Sequence, residues 1–381
     1  MKHYNYIFAG AGLSALMTVY KMVKSDKFSD KTILLLDENS KKTNDRTWCF
    51  WEEKNETWDE IVTKKWDLAL YANPNQSVEI DLAPNKYNQI RSVDFYNFVL
   101  DEIYKHDNIV FENQKVVKFE ETADNIVLQT VSNSYSCDQL FYSILNPFEV
   151  ENQKQYPLLQ QHFIGWFIES DQEVFNQEQA TFMDFSVEQK GNTRFMYVLP
   201  TSKNEALIEY TLFSHSHLET EEYESEIEIY LKKIGVKNYK IVEKESGSIP
   251  MTCFPFWKNN TSRILNIGSA GGWTKASTGY TFKNADKKST ELIQFLQTKT
   301  GFRQFHKITK FWFYDLLLLD ILNRNNELGS KIFSALFTKP NPQLIFKFLD
   351  EETTFAEDLK VIWKCPKPIF IRAFFRVFLK I

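Results

Sequence analysis

The sequence predicts an α/β protein in which a Rossmann-like dinucleotide-binding domain is interleaved with an antiparallel-sheet substrate domain and followed by a helical C-terminal region. Three observations carry this. The chain opens on strand, glycine turn and helix, with a second strand ending in carboxylates. Residues 160 to 213 alternate apolar and polar in four runs separated by turn residues. From 303 to 381 the pattern is helical throughout. The expected boundaries are 1–65, 105–150 and 240–300 for the nucleotide domain, 66–104 and 151–239 for the sheet domain, and 301–381 for the helical region.

In the opening unit the apolar run Tyr6 to Ala9 ends in Gly10-Ala11-Gly12-Leu13-Ser14-Ala15. Gly10 makes the tight turn, Gly12 lets a pyrophosphate approach the backbone, and the small Ala15 lets helix and strand pack closely. The N–H groups at the helix start then seat the phosphates, where the helix dipole favours negative charge. A second apolar run, Thr32 to Leu36, stops at Asp37 and Glu38, placed to take the ribose hydroxyls of an adenosine.

The next stretch, NDRTWCFWEEKNETW, sets Arg46 in a polar loop that returns toward the nucleotide. Trp48, Phe50 and Trp51 behind it either plug the fold beneath that loop or line a ligand site. Residues 66 to 82 alternate about Asn-Pro-Asn and read as a hairpin, the first piece of the second domain. A helix starts at Ser92 or Asp94, with Phe95, Phe98, Val99 and Ile103 on one face; Arg91, just before it, joins Arg46 among the cofactor-binding candidates. Strands are expected at 109–119, 125–131 and 138–147.

QHFIGWFIES, ATFMDFSV, TRFMYVLPTS and EALIEYTLFS are the four alternating runs, an antiparallel sheet of the kind that forms one face of a substrate chamber. An acidic helix follows at 219–234. SRILNIGSAGGWTKASTGYTF then runs a strand into a second glycine-rich stretch, Gly268, Gly271, Gly272 and Gly279, with a helix due near 280. A late strand, glycine turn and helix in such a chain points to a flavin, because this second turn can hold the ribityl-isoalloxazine half of FAD. At the end, PIFIRAFFRVFLKI spaces Arg372, Arg376 and Lys380 four apart among apolar residues, a basic stripe that fits a helix lying in a membrane interface. The alternative is docking onto the protein's own core or a partner subunit.

The net charge of -5 gives no reason to expect nucleic acid as a partner. Four cysteines lack metal or CxxC spacing, which reads as a reduced, cytoplasmic chain with no metal site. No apolar run approaches the roughly 20 residues that span a bilayer. With 33 Phe, 17 Tyr and 9 Trp, the chain has either a phenylalanine-rich core or an aromatic-lined cavity for an apolar ligand.

The order of FAGAGLSAL, DRTWCFW, YNQIRSVDFYNFV, FIGWFIE, FMDF, YVLPTSKNEALIEYTLFS, GSIPM and GSAGGWTKASTGYTF resembles that of the lycopene cyclase flavoproteins. The likeness extends from residue 6 to about 282 and, more weakly, to FLDEETTFAEDLKVIW. The resemblance implies a non-redox closure of β-rings at the ends of lycopene, to γ- and β-carotene. It also implies bound FAD in its reduced form and NAD(P)H as reductant. The partners it implies are lycopene or another linear carotenoid, the inner face of the cytoplasmic membrane, and other enzymes of carotenoid synthesis. The family's acidic motif, Glu then Asp or Glu then Thr, aligns with Glu209, Tyr210 and Thr211; Tyr210 departs from it.

The chemistry points to the same residue. Protonating an unactivated alkene needs an acid kept protonated in a dry place, and Glu209 is the only carboxylate in the apolar run ALIEYTLF. By pattern alone it reads more readily as an outward residue on an alternating strand, and the resemblance is what favours the catalytic reading. Asp184 either assists it or caps a strand. A carbocation is best shielded by aromatic faces, for which Trp48, Trp166, Phe182, Phe185 and Tyr280 are the candidates. In the second glycine turn, Gly268, Ser269, Gly271 and Gly279 are the cofactor candidates, Ser269 or backbone N–H groups standing where flavin hydroxylases carry Asp. Two rivals share the fold: an FAD-dependent monooxygenase or oxidoreductase acting on an apolar substrate, and a flavin- or carotenoid-binding protein without catalysis.

Overall fold

In the computed structural model, residues 1–54, 56–299, 301–338 and 341–379 are described. The chain begins β1 (Lys2–Ala9), α1 (Leu13–Lys24), β2 (Ile33–Asp37), β3 (Thr47–Glu52), β4 (Lys64–Trp66), β5 (Leu68–Asn73), β6 (Gln76–Asp81), β7 (Lys86–Arg91), α2 (Ser92–Ile103) and β8 (Ile109–Asn113). It continues through β9 (Val116–Glu121), β10 (Ile126–Thr130), β11 (Ser134–Tyr142), α3 (Pro147–Asn152), β12 (Leu159–Ser170), β13 (Gln179–Asp184), β14 (Thr193–Pro200), β15 (Glu205–Ser214), α4 (Thr220–Lys233) and β16 (Tyr239–Met251). After β17 (Ile264–Asn266) only helices remain: α5 (Phe282–Thr298), α6 (Lys310–Arg324), α7 (Gly329–Phe337), α8 (Pro342–Leu349), α9 (Phe355–Lys364) and α10 (Lys367–Phe378).

The strands form three sheets. The first is the nucleotide-domain sheet, with β8, β2, β1, β11 and β17 parallel in that order. β11 is long enough to fork: its first half pairs antiparallel with β10, which carries β9, and its second half pairs with β17. Covered on both faces, β1 and β2 are nearly continuous apolar runs. The second sheet runs β16-β12-β15-β14-β13-β5-β6, antiparallel except where β13 meets β5. A small sheet, β3-β7-β4, bridges the two.

Each sheet face has its own core. α1, α2 and α5 pack on the parallel sheet, and the meander of β9 and β10 covers its other side. On the second sheet α4 covers one face, where Trp166, Met196, Ile208, Tyr210 and Leu212 point. α6, α7 and α8 cover the other, toward Phe182, Phe195, Leu207 and Phe213. Alternation along β15 therefore sorts residues 206, 208, 210 and 212 to α4 and residues 207 and 213 to the opposite side.

Three expected boundaries move. The stretch 109–119 is two strands, β8 and β9. α2, expected with the sheet domain, buries Phe95, Tyr96, Val99 and Ile103 against α1 in the nucleotide domain. β16, expected with the nucleotide domain, is the edge strand of the second sheet, because its alternation pairs with β12 along almost its whole length. The C-terminal stripe is also corrected. Arg376 turns inward and binds the buried Asp320 of α6 through Nε at 2.9 Å, while Lys380 lies outside the described residues. α10 buries Ala373 and Val377 and leaves Ile371, Phe374, Phe375, Phe378 and Leu379 exposed. Among the described residues no helix is long and apolar enough to cross a membrane.

Candidate active site

A single cavity of about 500 Å³ runs from the first glycine turn to the aromatic interior of the second sheet. At its nucleotide end, Gly10 has φ +89°, and a Cβ there would fall 2.3 Å from Ser143 Oγ, so only glycine closes this turn. Gly12 caps α1, with no side chain bonded to the helix's first N–H groups and no acidic residue in the first turn. A Cβ on Gly12 would meet nothing within 4 Å, since it would point into the cleft. That cradle fits a pyrophosphate. The second turn converges on it: Gly268, at φ +58°, would place a Cβ 3.3 Å from Ser14 Oγ, and Ser269 lines the same space.

Around this end the remaining cofactor candidates divide. Leu13, Ser14, Arg46, Ser269 and Gly279 line the cavity. Ala11 and Ala15 are fully buried in the packing of α1, and the Ala11 N–H donates to Asp37 Oδ2 at 2.7 Å. Asp37 is thereby fixed at the end of β2, where Lys41 pairs with it at 3.1 Å. Glu38 points outward to Lys115. Gly271 does not line the cavity; a Cβ there would lie 2.2 Å from the Asn266 carbonyl oxygen, so its smallness serves packing. Arg91 is bound to Glu243 at 2.5 Å and stacks on Phe167, outside the cavity lining.

Glu209 and Thr211 line the far end, on the face of β15 opposite Tyr210. The Thr211 hydroxyl donates to Glu209 Oε1. Glu209 is buried at 8% exposure, and burial first, then the neighbouring charge of Glu245, pushes its carboxyl up to about 8. Both effects favour the neutral acid at pH 7. Trp48, Phe163, Phe182, Phe195, Tyr197, Phe213, Tyr280 and Phe333 supply ring faces to the same cavity. Tyr197 and Tyr87 share a hydroxyl hydrogen bond of 2.7 Å, and burial holds both phenols in the neutral form.

Three expected site residues lie elsewhere. Asp184 accepts the Ser186 N–H at 2.8 Å and the Tyr230 hydroxyl at 2.9 Å, on the side of α4; it caps the end of β13. Trp166 faces α4 and lies under Lys244. Phe185 packs among Tyr71, Phe195 and Phe333 without reaching the cavity. Glu245, which no motif marks, lines the cavity beside Glu209. The signal for it was the alternation of β16, which puts Glu243, Glu245 and Gly247 on one face without saying which face is buried.

Fold and site together define an α/β protein of the dinucleotide-binding flavoprotein kind, with a protonated carboxyl at the end of an apolar chamber. The model of the lycopene cyclase protein family matches residues 6–376, and the chain belongs to that family. No curated protein sequence matches it significantly. Among solved structures it is similar to a geranylgeranyl bacteriochlorophyll reductase-like protein from Thermoplasma acidophilum, with TM-score 0.62 and 11% identity over 99% of this chain and 100% of that one. It is likewise similar to the flavin-dependent brominase Bmp2, with TM-score 0.63 and 12% identity over 100% of both chains. A third is p-nitrophenol 4-monooxygenase PnpA from Pseudomonas putida, with TM-score 0.58 and 12% identity over 98% of each. At such identities these likenesses show the shared fold.

Proposed function

We propose that the protein is a lycopene β-cyclase, closing the ends of lycopene or another linear carotenoid to β-rings by an acid-initiated reaction without net oxidation. The observation that carries this reading is the Glu209 carboxyl, kept protonated by burial at the aromatic end of the cavity. Glu209 donates its proton to the terminal double bond, and the resulting cation is attacked by an inner double bond to close the ring. A proton is then lost from the ring, so the product has the mass of the substrate. Aromatic faces at Phe182, Phe195, Phe213 and Tyr280 shield the cation without supplying a nucleophile. Water would quench the cation, so the apolar walls at this end matter as much as the acid.

The first glycine turn and the N-terminus of α1 would hold the pyrophosphate of FAD, Asp37 its adenosine ribose, and Ser269 with the second turn its ribityl half. Reduced FAD, replenished by NAD(P)H, would supply electron-rich character beside the developing cation. Expression in cells that accumulate lycopene tests the reading. Pigment chromatography should reveal a ringed product of unchanged mass with the wild type and persistent lycopene with Glu209→Gln. Lycopene unchanged by the wild type, with purified protein holding flavin, would instead favour an oxidoreductase.

A forty-carbon hydrocarbon resides in the bilayer, so the enzyme must dock there. The exposed apolar face of α10 continues onto α9 through Phe355, Leu359 and Trp363, the last 73% exposed, and Lys367 sits over the Trp363 ring at 3.2 Å. With Arg372 these residues make a surface suited to anionic headgroups at the inner face of the cytoplasmic membrane. Truncation at residue 367 should abolish flotation with anionic vesicles; undiminished flotation would remove this surface from the proposal.

A further inference from the structure

We propose that Glu245 is the acidic partner of Glu209, its carboxylate brought across a glycine gap at position 165 so that the two side chains share one proton. The inference rests on Glu209 being the acid of the proposed reaction.

The geometry begins with strand register. On β12, Gly165 pairs with Glu209 of β15 on one side and with Glu245 of β16 on the other, so all three residues present the same face. Residues two strands apart are normally separated by the side chain between them. Here there is none. A Cβ at position 165 would press on Leu207 Cδ1 at 2.8 Å and would stand in contact, 3.4 Å, with both Glu209 Cβ and Glu245 Cγ, so a side chain here would occupy the space between the two acids. Both line the one cavity, and each is anchored by a threonine hydroxyl: Thr211 to Glu209 and Thr47 to Glu245 Oε2, the latter at 2.8 Å.

Residue 210 cannot serve as this partner whatever its type, because its side chain leaves β15 on the opposite face, toward Arg194 and α4. Tyr210 therefore costs the chamber no carboxyl. The second acid comes from two strands away in the sheet.

A buried carboxyl and a half-buried one that face each other across a single strand do not readily both ionise, and their surroundings decide which keeps the proton. Burial raises the Glu245 carboxyl as well, and Glu243 on its own strand adds to that, but the Thr47 hydroxyl, Arg91 at the end of β7 and Arg46 ahead of β3 each favour its charged form. Glu209 faces no comparable cation. Cys49 of β3 also feels both carboxyls, and with Tyr197, Tyr87 and Tyr280 it is held neutral by burial. The charge thus rests on Glu245 and the proton on Glu209. After the proton is delivered to substrate, the pair returns to its starting state by taking up the proton lost from the ring, which leaves the overall balance at zero.

The test is an infrared pH titration of the purified full-length protein, following the C=O band of protonated carboxyl groups. Wild type should lose a band near pH about 8, and Glu209→Gln should lack it. Glu245→Gln, which removes the neighbouring charge without changing shape, should lower that midpoint by about one pH unit or more. Glu245→Asp, which keeps the charge, should restore most of the shift, a rescue that a merely structural role would not give. The alkaline limb of cyclisation activity should move in parallel. A Glu209 midpoint unmoved in Glu245→Gln overturns the pairing, even if lycopene is still cyclised. The expected shift in a protein that leaves lycopene untouched keeps the pair and removes the cyclase reading instead.

Discussion

The two faces of the second sheet are both buried and both carry ionisable groups, yet they use them in opposite ways. Toward α4, the buried charges are paired or hydrogen-bonded to hydroxyls: Arg194 donates to Glu222 at 2.9 Å and to Tyr210 at 3.2 Å, and Asp184 accepts from Tyr230. His162 sits between Ser214 and Tyr223, with burial holding it down at about 4 and so neutral. Toward α6 and α7, Glu209 and Glu245 are met by threonine hydroxyls, and neither forms an ion pair among the described residues. A buried carboxyl next to a cation would be locked as a carboxylate. One left with a hydroxyl, rings and another carboxyl keeps its proton and can give it away. The difference separates a polar network that holds the fold from one that can do acid chemistry.

The comparison is broken most severely by Glu209→Gln, which keeps the shape and the Thr211 contact but has no proton to donate. Cyclisation should fall by about 10²–10⁴-fold, as expected for loss of a general acid. The same variant should alter the pH dependence of stability. Folding raises this carboxyl above its usual 4.5, so the folded state binds the proton more tightly than the unfolded chain. Its contribution is complete below about pH 4.5 and declines, by up to about 1.4 kcal/mol per pH unit, until pH about 8. Urea unfolding of Glu209→Gln should therefore show a flatter decline between about pH 5 and pH 8 than wild type. A smaller and opposite signature belongs to the α4 face. Arg194→Leu strands Glu222 and Tyr210 and should cost roughly 2–3 kcal/mol of stability while the folded fraction still cyclises lycopene. Lost activity in that folded fraction would mean that the two faces are not functionally separate.

What could be read from the chain without its structure was whatever is local. The glycine turns, the opening strand and helix, and Glu209 in its apolar run are each encoded within a dozen or so consecutive residues, where periodicity and backbone sterics act directly. Non-local facts were invisible. An alternating strand covered on both faces looks the same whichever way it turns, so Trp166 and Phe185 were expected in a cavity that Phe195 and Phe213 line instead. Glu245 lies 36 residues beyond Glu209 in sequence, and only the register through Gly165 brings them together. Arg376 belonged by spacing to an outer basic stripe; its partner Asp320 is on another helix.

That clasp between Arg376 and Asp320 ties α10 to α6, and one contiguous apolar cluster extends from Phe213, beside the acid, through Leu316 and Phe333, to Val377 beneath the exposed rings of α10. The ceiling of the chamber and the sole of the molecule are thus a single helical layer. If the protein docks on a membrane as proposed, a hydrocarbon drawn from it would cross that one layer to reach the proton, never leaving an oily path, and the clasp would fix the angle at which the protein stands while it does so.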